Sequence, residues 1–424
     1  MEKGKNLYLG VVADDFTGAG DAASFLRAAG LNTLLLSGVP RAEMEEECDA
    51  VVIALKSRSA PVSQAVSESL EAFRWMERAG AQKLYFKYCS TFDSTPAGNI
   101  GPVADRMLEE LGQPYTLLCP ALPVNGRTVR EGVLYVKGVP LAQSPMKDHP
   151  LNPMWASEIP SLMAPQSAYP CRAVSRREWQ EGQLEDILAE CRKQADHFYL
   201  VPDQETEEDA RGLLARFGGL RFLTGGSGLM EAIAADCPRT GAGSVPVQGA
   251  QGPAILLSGS CSQATQRQIL RYRQEHPSCA LWAEKLLDGR QSYEELWAFY
   301  QEHQEQAPLF YSAGASEPLM QGEEESRRDR WAAAVLERTL ARLAQDALTQ
   351  GARRLIVAGG ETSGAVARQL GFEGYRIGDS VAPGVPVMVP LGSPQVRVVY
   401  KSGNFGEADF FEKALAMTGP AGEK

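Results

Sequence analysis

Two carboxylates in succession, Asp14 and Asp15, stand where an apolar, β-prone run (Leu7 to Ala13) gives way to Phe16-Thr17-Gly18-Ala19-Gly20-Asp21. Read locally, this is a buried strand, a Gly-rich turn and the start of a helix that continues through Phe25, Leu26 and Ala29 to Gly30. Open α/β sheets bind their ligands at such strand ends. A helix cap would need only Asp15 or Thr17. Two carboxylates in sequence point instead to a catalytic or metal-binding mouth. Neighbouring strand residues face opposite ways, so the pair shares one role only if the chain has already turned.

Other polar groups also follow strand candidates. Lys56-Ser57-Arg58-Ser59 follows one, Lys87-Tyr88-Cys89-Ser90-Thr91-Phe92-Asp93-Ser94-Thr95 another, and Asn125-Gly126-Arg127 lies in an irregular stretch. Arg58, Lys87 and Arg127 could converge on a carboxylate, with the Ser90 and Thr91 hydroxyls reading sugar hydroxyls. A single basic residue is ordinarily a solvated surface charge. Lys87 departs from that rule because it continues an apolar strand. Further on come three glycine turns at strand ends: Ser258-Gly259-Ser260, Gly359-Gly360-Glu361-Thr362-Ser363-Gly364 and Ser402-Gly403-Asn404. Each alone is an ordinary turn, but three on one sheet edge would make phosphate cradles. Neither a P-loop nor a dinucleotide fingerprint occurs. Carboxylates and anion-binding side chains in one half, with phosphate cradles in the other, suggest phosphoryl transfer, in which positioning and electrostatics supply most of the catalysis.

The elements that must hold these groups follow from the rest of the chain. At 424 residues two domains are expected. Apolar residues make up 44% and charged residues 22%, a globular composition. The net charge of −11 argues against a nucleic-acid footprint but leaves room for a local anion pocket. No apolar run reaches membrane-spanning length, and Met1 to Lys5 leaves no room for a leader. Eight scattered cysteines and four scattered histidines suggest neither a disulfide framework nor a zinc site, so a reduced, cytoplasmic protein is expected.

Strand candidates at 32–36, 50–55, 83–88, 115–119, 197–201 and 221–223 alternate with helical patterns at 61–79, 100–111, 184–195 and 209–217, which predicts a mostly parallel sheet covered by helices. Residues 120–175 break the rhythm, with a small hairpin near 133–141, and predict a flap or wall. The stretch 238–252 has linker composition. A second α/β series follows: a strand at 254–257, a helix at 262–274, and a long helix carrying Trp331, Val335, Leu336, Leu340, Leu343 and Leu348 as a core stripe. Acidic Glu323-Glu324-Glu325 at its start suits the helix dipole. A strand at 354–358, a helix from Ser363, and strands at 387–389 and 397–401 close the chain.

Gly18-Ala19-Gly20-Asp21 resembles the GAGD signature of ribokinase-like sugar kinases, but there it lies late in the chain. Here it is read as an overlap of helix-opening chemistry. A fuller resemblance is to the four-carbon acid sugar kinase family. It is carried by Ala13 to Gly18, Lys87 to Asp93, Cys89 to Pro96 with Gly98-Asn99-Ile100-Gly101, Pro123 to Thr128, His149 to Met154, Ser258-Gly259-Ser260 and Gly359 to Gly364. The family more often has Leu where this chain has Phe16, and Asn where it has Gly20, a glycine expected to loosen the turn.

The resemblance implies two α/β domains, each a mostly parallel sheet flanked by helices, with the site in the interdomain cleft. Residues 1–240 would bind the acid sugar and 252–424 the nucleotide. It further implies ATP-dependent phosphorylation of the C4 hydroxyl, with a 3-oxo-tetronate expected ahead of threonate or erythronate. ATP contacts carried over by position fall on Ser258, Gly359, Gly360, Glu361, Thr362, Ser363 and Gly403. Asp15 or Asp93 would take or orient the hydroxyl proton, and Asp14 would lie near Mg²⁺. Arg58, Lys87 and Arg127, with Ser90, Thr91, Asn125 and Gly126, would hold the substrate. Expected partners are the acid sugar and ATP, with no nucleic acid and no membrane; a homodimer is left open. The rival from another class is a non-catalytic sensor of an acid sugar or nucleotide, which would need neither paired carboxylates nor several cradles.

Overall fold

The computed structural model describes residues 7–41, 46–148, 153–238, 247–313 and 323–420, the last from its backbone alone up to 330. The start of the chain at Met1 to Lys5, His149 to Asn152, most of the expected linker, and the side chains of Glu323 to Glu325 lie outside the described residues. Contacts divide the chain into two compact units, Met1–Ser244 and Val245–Lys424.

In the first unit the short apolar runs are strands: β1 (Leu9–Ala13), β2 (Thr33–Ser37), β3 (Ala50–Ala54), β4 (Lys83–Lys87), β5 (Tyr115–Cys119), β6 (Arg127–Arg130), β7 (Val133–Val136), β8 (Val139–Pro140), β9 (Cys171–Val174), β10 (Phe198–Pro202) and β11 (Phe222–Gly225). The main sheet runs β2-β3-β1-β4-β11-β5-β10-β9, with parallel pairing throughout. β1 and β3 are buried along their whole length, as continuous apolar strands between two helical layers must be. β1 leads through a helix to β2 on one side, whereas β3 leads across β1 to β4 on the other. Right-handed crossovers therefore put the helices following β1 and β4 on opposite faces, which opens a crevice at the carboxyl ends of these two strands. β6, β7 and β8 form a separate antiparallel sheet. It is the expected hairpin enlarged by one strand, tied to the main unit by paired backbone bonds between Val129 and Gln204.

The first helix spans Phe16–Ala28 and begins before the glycines rather than at them, because the Asp15 side chain caps it by accepting from the Gly18 amide at 2.7 Å. Gly20 therefore lies in a helix, not in a turn.

The second unit contains β12 (Ala254–Ser258), β13 (Ser278–Trp282), β14 (Leu309–Ala313), β15 (Arg354–Ala358), β16 (Gly374–Ala382), β17 (Val385–Pro390) and β18 (Arg397–Lys401), in the order β13-β14-β12-β15-β18-β17-β16. The first five in that order are parallel, and β17 runs antiparallel to both neighbours. The expected helix from Ser363 starts earlier, at Gly360, so most of that glycine turn is the first turn of a helix. In the long helix Glu323–Gln350 the core stripe begins later than its spacing suggests. Leu340 and Leu343 are buried, but Trp331 is 63% exposed and nothing between 331 and 339 is buried. Helical spacing marks one face, and here only the later turns of that face are covered. Among the described residues, no helix is long and apolar enough to cross a membrane.

Candidate functional site

At the crevice, the chain has turned by the time it reaches the two carboxylates, and both face Arg58. The guanidinium grips Asp14 with two bonds, Nε to Oδ2 at 2.9 Å and Nη2 to Oδ1 at 2.8 Å. It lies 3.0 Å from Asp15 Oδ1 and 3.8 Å from Asp93 Oδ2. Backbone bonds fix this arrangement, since the Ser57 and Arg58 amides both donate to the Asp14 carbonyl. Asn99 holds the same loop from the other side, its amide donating to the carbonyls of Ser57 at 2.6 Å and Ala60 at 2.9 Å. Phe92, fully buried at φ 49°, turns the chain so that Asp93 joins the cluster. Left-handed backbone at a bulky residue persists only where its surroundings impose it, and the edge-on Tyr88 ring at 5.5 Å is part of them.

Asp14 and Asp15 are not equivalent. The Asp14 side chain is 5% exposed with both oxygens on Arg58, whereas that of Asp15 is 30% exposed and its Oδ2 has no protein partner among the described residues. Burial pushes the Asp14 pKa up, against the pull of Arg58. Burial also works against the Arg58 charge, but Asp14 and Asp15 outweigh it and its pKa is raised. Asp15 therefore serves as the helix cap and still faces Arg58, so capping does not take it out of the cluster.

Lys87, buried at the end of β4, donates to the Tyr88 carbonyl at 3.0 Å and lies 4.0 Å from Asp21 Oδ2. Asp21 also accepts from the Ser227 hydroxyl at 2.5 Å, while its buried Oδ1 has no partner among the described residues. Burial raises its pKa, with Lys87 and Ser227 opposing. Asp21 and Ser227 thus join the cluster at these strand ends; in the sequence Asp21 reads only as helix-opening chemistry, and nothing marks Ser227. Arg127 shares the surroundings of Asp21 and Cys89, and burial lowers its pKa. Its Nη1 donates to the Asn125 carbonyl at 2.7 Å across the Gly126 turn (φ 71°), while its Nε and the Asn125 amide nitrogen are buried without partners among the described residues. Thr91 is buried, its hydroxyl 3.0 Å from Cys89 Sγ; Ser90 is half-buried.

In the second unit, β12, β15 and β18 are parallel neighbours, so their following turns share one edge. The Gly259 amide donates to the Ala358 carbonyl and the Gly359 amide to the Lys401 carbonyl. Side chains added to the glycines would collide: at Gly259 with the Thr362 hydroxyl, and at Gly403 with Ser260 Oγ at 2.6 Å. Gly359 (φ 115°) precedes the helix Gly360–Leu370 and makes no side-chain cap bond, so among the described residues no side chain caps the first amides of that helix. Ser258 and Ser363 are fully buried, and their hydroxyls have no partner among the described residues. Thr362 is buried; Gly360 and Glu361 are exposed. Uncapped amides, glycines against neighbouring turns and orphaned hydroxyls fit a phosphate chain. Among the described residues, no group of three or more His, Cys, Asp or Glu is arranged to hold a metal. Mg²⁺ in phosphoryl-transfer sites uses one or two carboxylates plus substrate phosphates, so this does not conflict with a metal carried on the phosphates. The expectation for Asp14 as a ligand does, however, meet a carboxylate already engaged by Arg58.

A sugar-binding N-terminal domain family matches residues 9–233, and a nucleotide-binding C-terminal domain family matches residues 255–411. A 3-oxo-tetronate kinase of Brucella melitensis is 40% identical over 99% of this chain and 98% of its own. One of Salmonella typhimurium is 41% identical over 96% and 98% respectively. A solved structure from Salmonella typhimurium matches with a TM-score of 0.83 at 38% identity, covering 96% of this chain and 98% of that one. A Haemophilus influenzae structure matches at 0.76 and 38%, covering 96% and 100%. With both domain types present in order and such relatives along its whole length, the chain belongs to the four-carbon acid sugar kinase family.

Proposed function

We propose that the protein is an ATP- and Mg²⁺-dependent kinase that phosphorylates the C4 hydroxyl of 3-oxo-tetronate, with its acid-sugar half in residues 1–240 and its nucleotide half in 252–424. Kinase relatives of the same length and order support the reaction class. The observation that carries the residue roles is the asymmetry of the paired carboxylates. Asp15 presents a free, partly exposed Oδ2 and is the group that takes or orients the C4 hydroxyl proton. Asp14 and Asp93 hold Arg58 beside it, which makes them positioning residues. With Arg58 engaged, the substrate carboxylate falls to Lys87 and Arg127, whose Nε lacks an acceptor among the described residues. Ser90, Thr91, Asn125 and Gly126 line the same strand ends.

In the nucleotide half, Ser258, Gly359 to Ser363 and Gly403 receive the phosphates. Mg²⁺ on those phosphates would neutralise charge that develops during transfer.

The test is a coupled ADP-release assay with ATP and Mg²⁺ over 3-oxo-tetronates and the D and L forms of threonate and erythronate. Turnover confined to the 3-oxo acids is expected. Turnover on threonate or erythronate would move the substrate within the family, and none at all with retained ATP binding would favour a sensor. In the same assay Asp15→Asn, which keeps the helix cap, is expected to lower kcat by about 100-fold or more.

A further inference from the structure

Lys401 is the last residue of β18 and is completely buried. Its ammonium has three hydrogens and three acceptors: Thr265 Oγ1 at 2.8 Å and the carbonyls of Ser402 and Gly403, each at 3.0 Å. The Phe410 ring lies 5.5 Å away. Among the described residues no carboxylate pairs with it. Of the nearby carboxylates, Glu412 pairs with Arg271 at 3.0 Å and Asp409 with Lys413 at 3.0 Å, and Glu361 in the first turn of the helix Gly360–Leu370 is exposed. Burial alone lowers its pKa to about 7. An ammonium placed so deeply without a counterion is costly unless an anion visits the site.

The direction of its bonds says where that anion would sit. In a trans peptide the C=O and the N–H point opposite ways. By drawing the Ser402 and Gly403 carbonyls inward, Lys401 turns the Gly403 and Asn404 amides outward, and neither amide has an acceptor among the described residues. Two consecutive outward amides form an anion nest. The Ser262 and Thr265 hydroxyls brace the same Gly403 carbonyl at 2.5 and 2.7 Å. The orphaned, fully buried hydroxyls of Ser258 and Ser363 independently mark a polar ligand at the neighbouring strand ends.

We propose that Lys401 is the positioning residue of the phosphate cradle, holding the Ser402–Asn404 turn with its amides toward the nucleotide phosphates and supplying the buried positive charge they require. The proposal rests on the nucleotide reading of this half and adds to it a residue and its mode of action. No direct contact is involved, since all three of its hydrogens are already used.

The test compares wild type, Lys401→Met and Lys401→Arg. ADP binding is followed by calorimetry at pH 8 in two buffers of different ionisation enthalpy, alongside kinetics for both substrates. In Lys401→Met, the ADP Kd and the ATP KM are expected to rise by about tenfold or more, as for loss of a charge-assisted site. The KM for the acid sugar should stay unchanged. Wild type should take up a proton on binding ADP, and Lys401→Met should not. Lys401→Arg should recover part of the affinity because the charge remains. Unchanged ADP affinity in a folded Lys401→Met, or binding by wild type without proton uptake, would overturn the proposal. The proton measurement on wild type stands even if the Met variant fails to fold. If the wild type binds no ADP at all, the nucleotide reading itself falls, and this proposal with it.

Discussion

Lys87 and Lys401 occupy similar places, each as the buried last residue of a central strand and each donating at 3.0 Å to the carbonyl of the residue that follows. Their surroundings differ. Lys87 has Asp21 at 4.0 Å, and the nearby Arg58 has Asp14, Asp15 and Asp93. Lys401 has only neutral oxygens. The first half thus carries counterions for both Lys87 and Arg58. The second leaves its cation uncompensated, as suits a site whose ligand brings several negative charges. A group that must fit one small acid benefits from a rigid lattice of paired charges, whereas a phosphate cradle can leave neutralisation to the phosphates.

That contrast can be broken by removing a cation from each half. Arg58→Met strands Asp14 without its partner and is expected to cost about 3–5 kcal/mol in urea unfolding. Lys401→Met leaves no buried charge behind and should change stability by no more than about 2 kcal/mol. Equal losses would mean that the two sites are built alike.

An effect of similar size concerns pH. The folded pKa of Lys401 lies near 7, against an ordinary value of 10.5, so between these limits the unfolded chain binds more protons. The penalty for burying its charge is therefore full below about pH 7 and fades as pH rises toward the ordinary value. Wild type should gain stability relative to Lys401→Met from pH 7 to 9, measured by urea unfolding at each pH. A flat difference would return Lys401 to an ordinary paired lysine.

The smallest effect uses the glycines. A Cβ at Gly20 meets nothing, so Gly20→Ala should stabilise the first helix by about 1 kcal/mol, read as a higher Tm. At Gly403 the same change would press on Ser260 Oγ at 2.6 Å and should lower ADP affinity.

Much of this architecture can be read from short apolar runs. β5, β7, β15 and β18 coincide with their runs, and most other strands differ by a residue or two, because short apolar β-prone runs mark buried strands. β9 (Cys-Arg-Ala-Val) was missed for the converse reason: it lies at the sheet edge, with an exposed arginine. β16 was missed because its Gly-Tyr-Arg-Ile-Gly-Asp stretch has turn composition and is held by pairing with β17. In the site, Asp14, Asp15, Arg58, Lys87 and Asp93 were each visible as polar groups after strands. That Arg58 closes on Asp14 was not, since the contact spans 44 residues and depends on Asn99. Lys401 carries the same signal as Lys87, a lysine ending an apolar strand, but stands beside a glycine turn that is the stronger mark in the sequence.

The position of β11 bears on how the first half comes to fold. Phe222–Gly225 lies between β4 and β5, which are made more than a hundred residues earlier. Until that strand leaves the ribosome, β4 and β5 each keep an open edge at the centre of the future sheet. The carboxylates and cations at the crevice are assembled in sequence well before the platform beneath them can close. A nascent chain stopped before Phe222 would expose two apolar edges at once, and that interval is when this half is most open to aggregation and most in need of a chaperone.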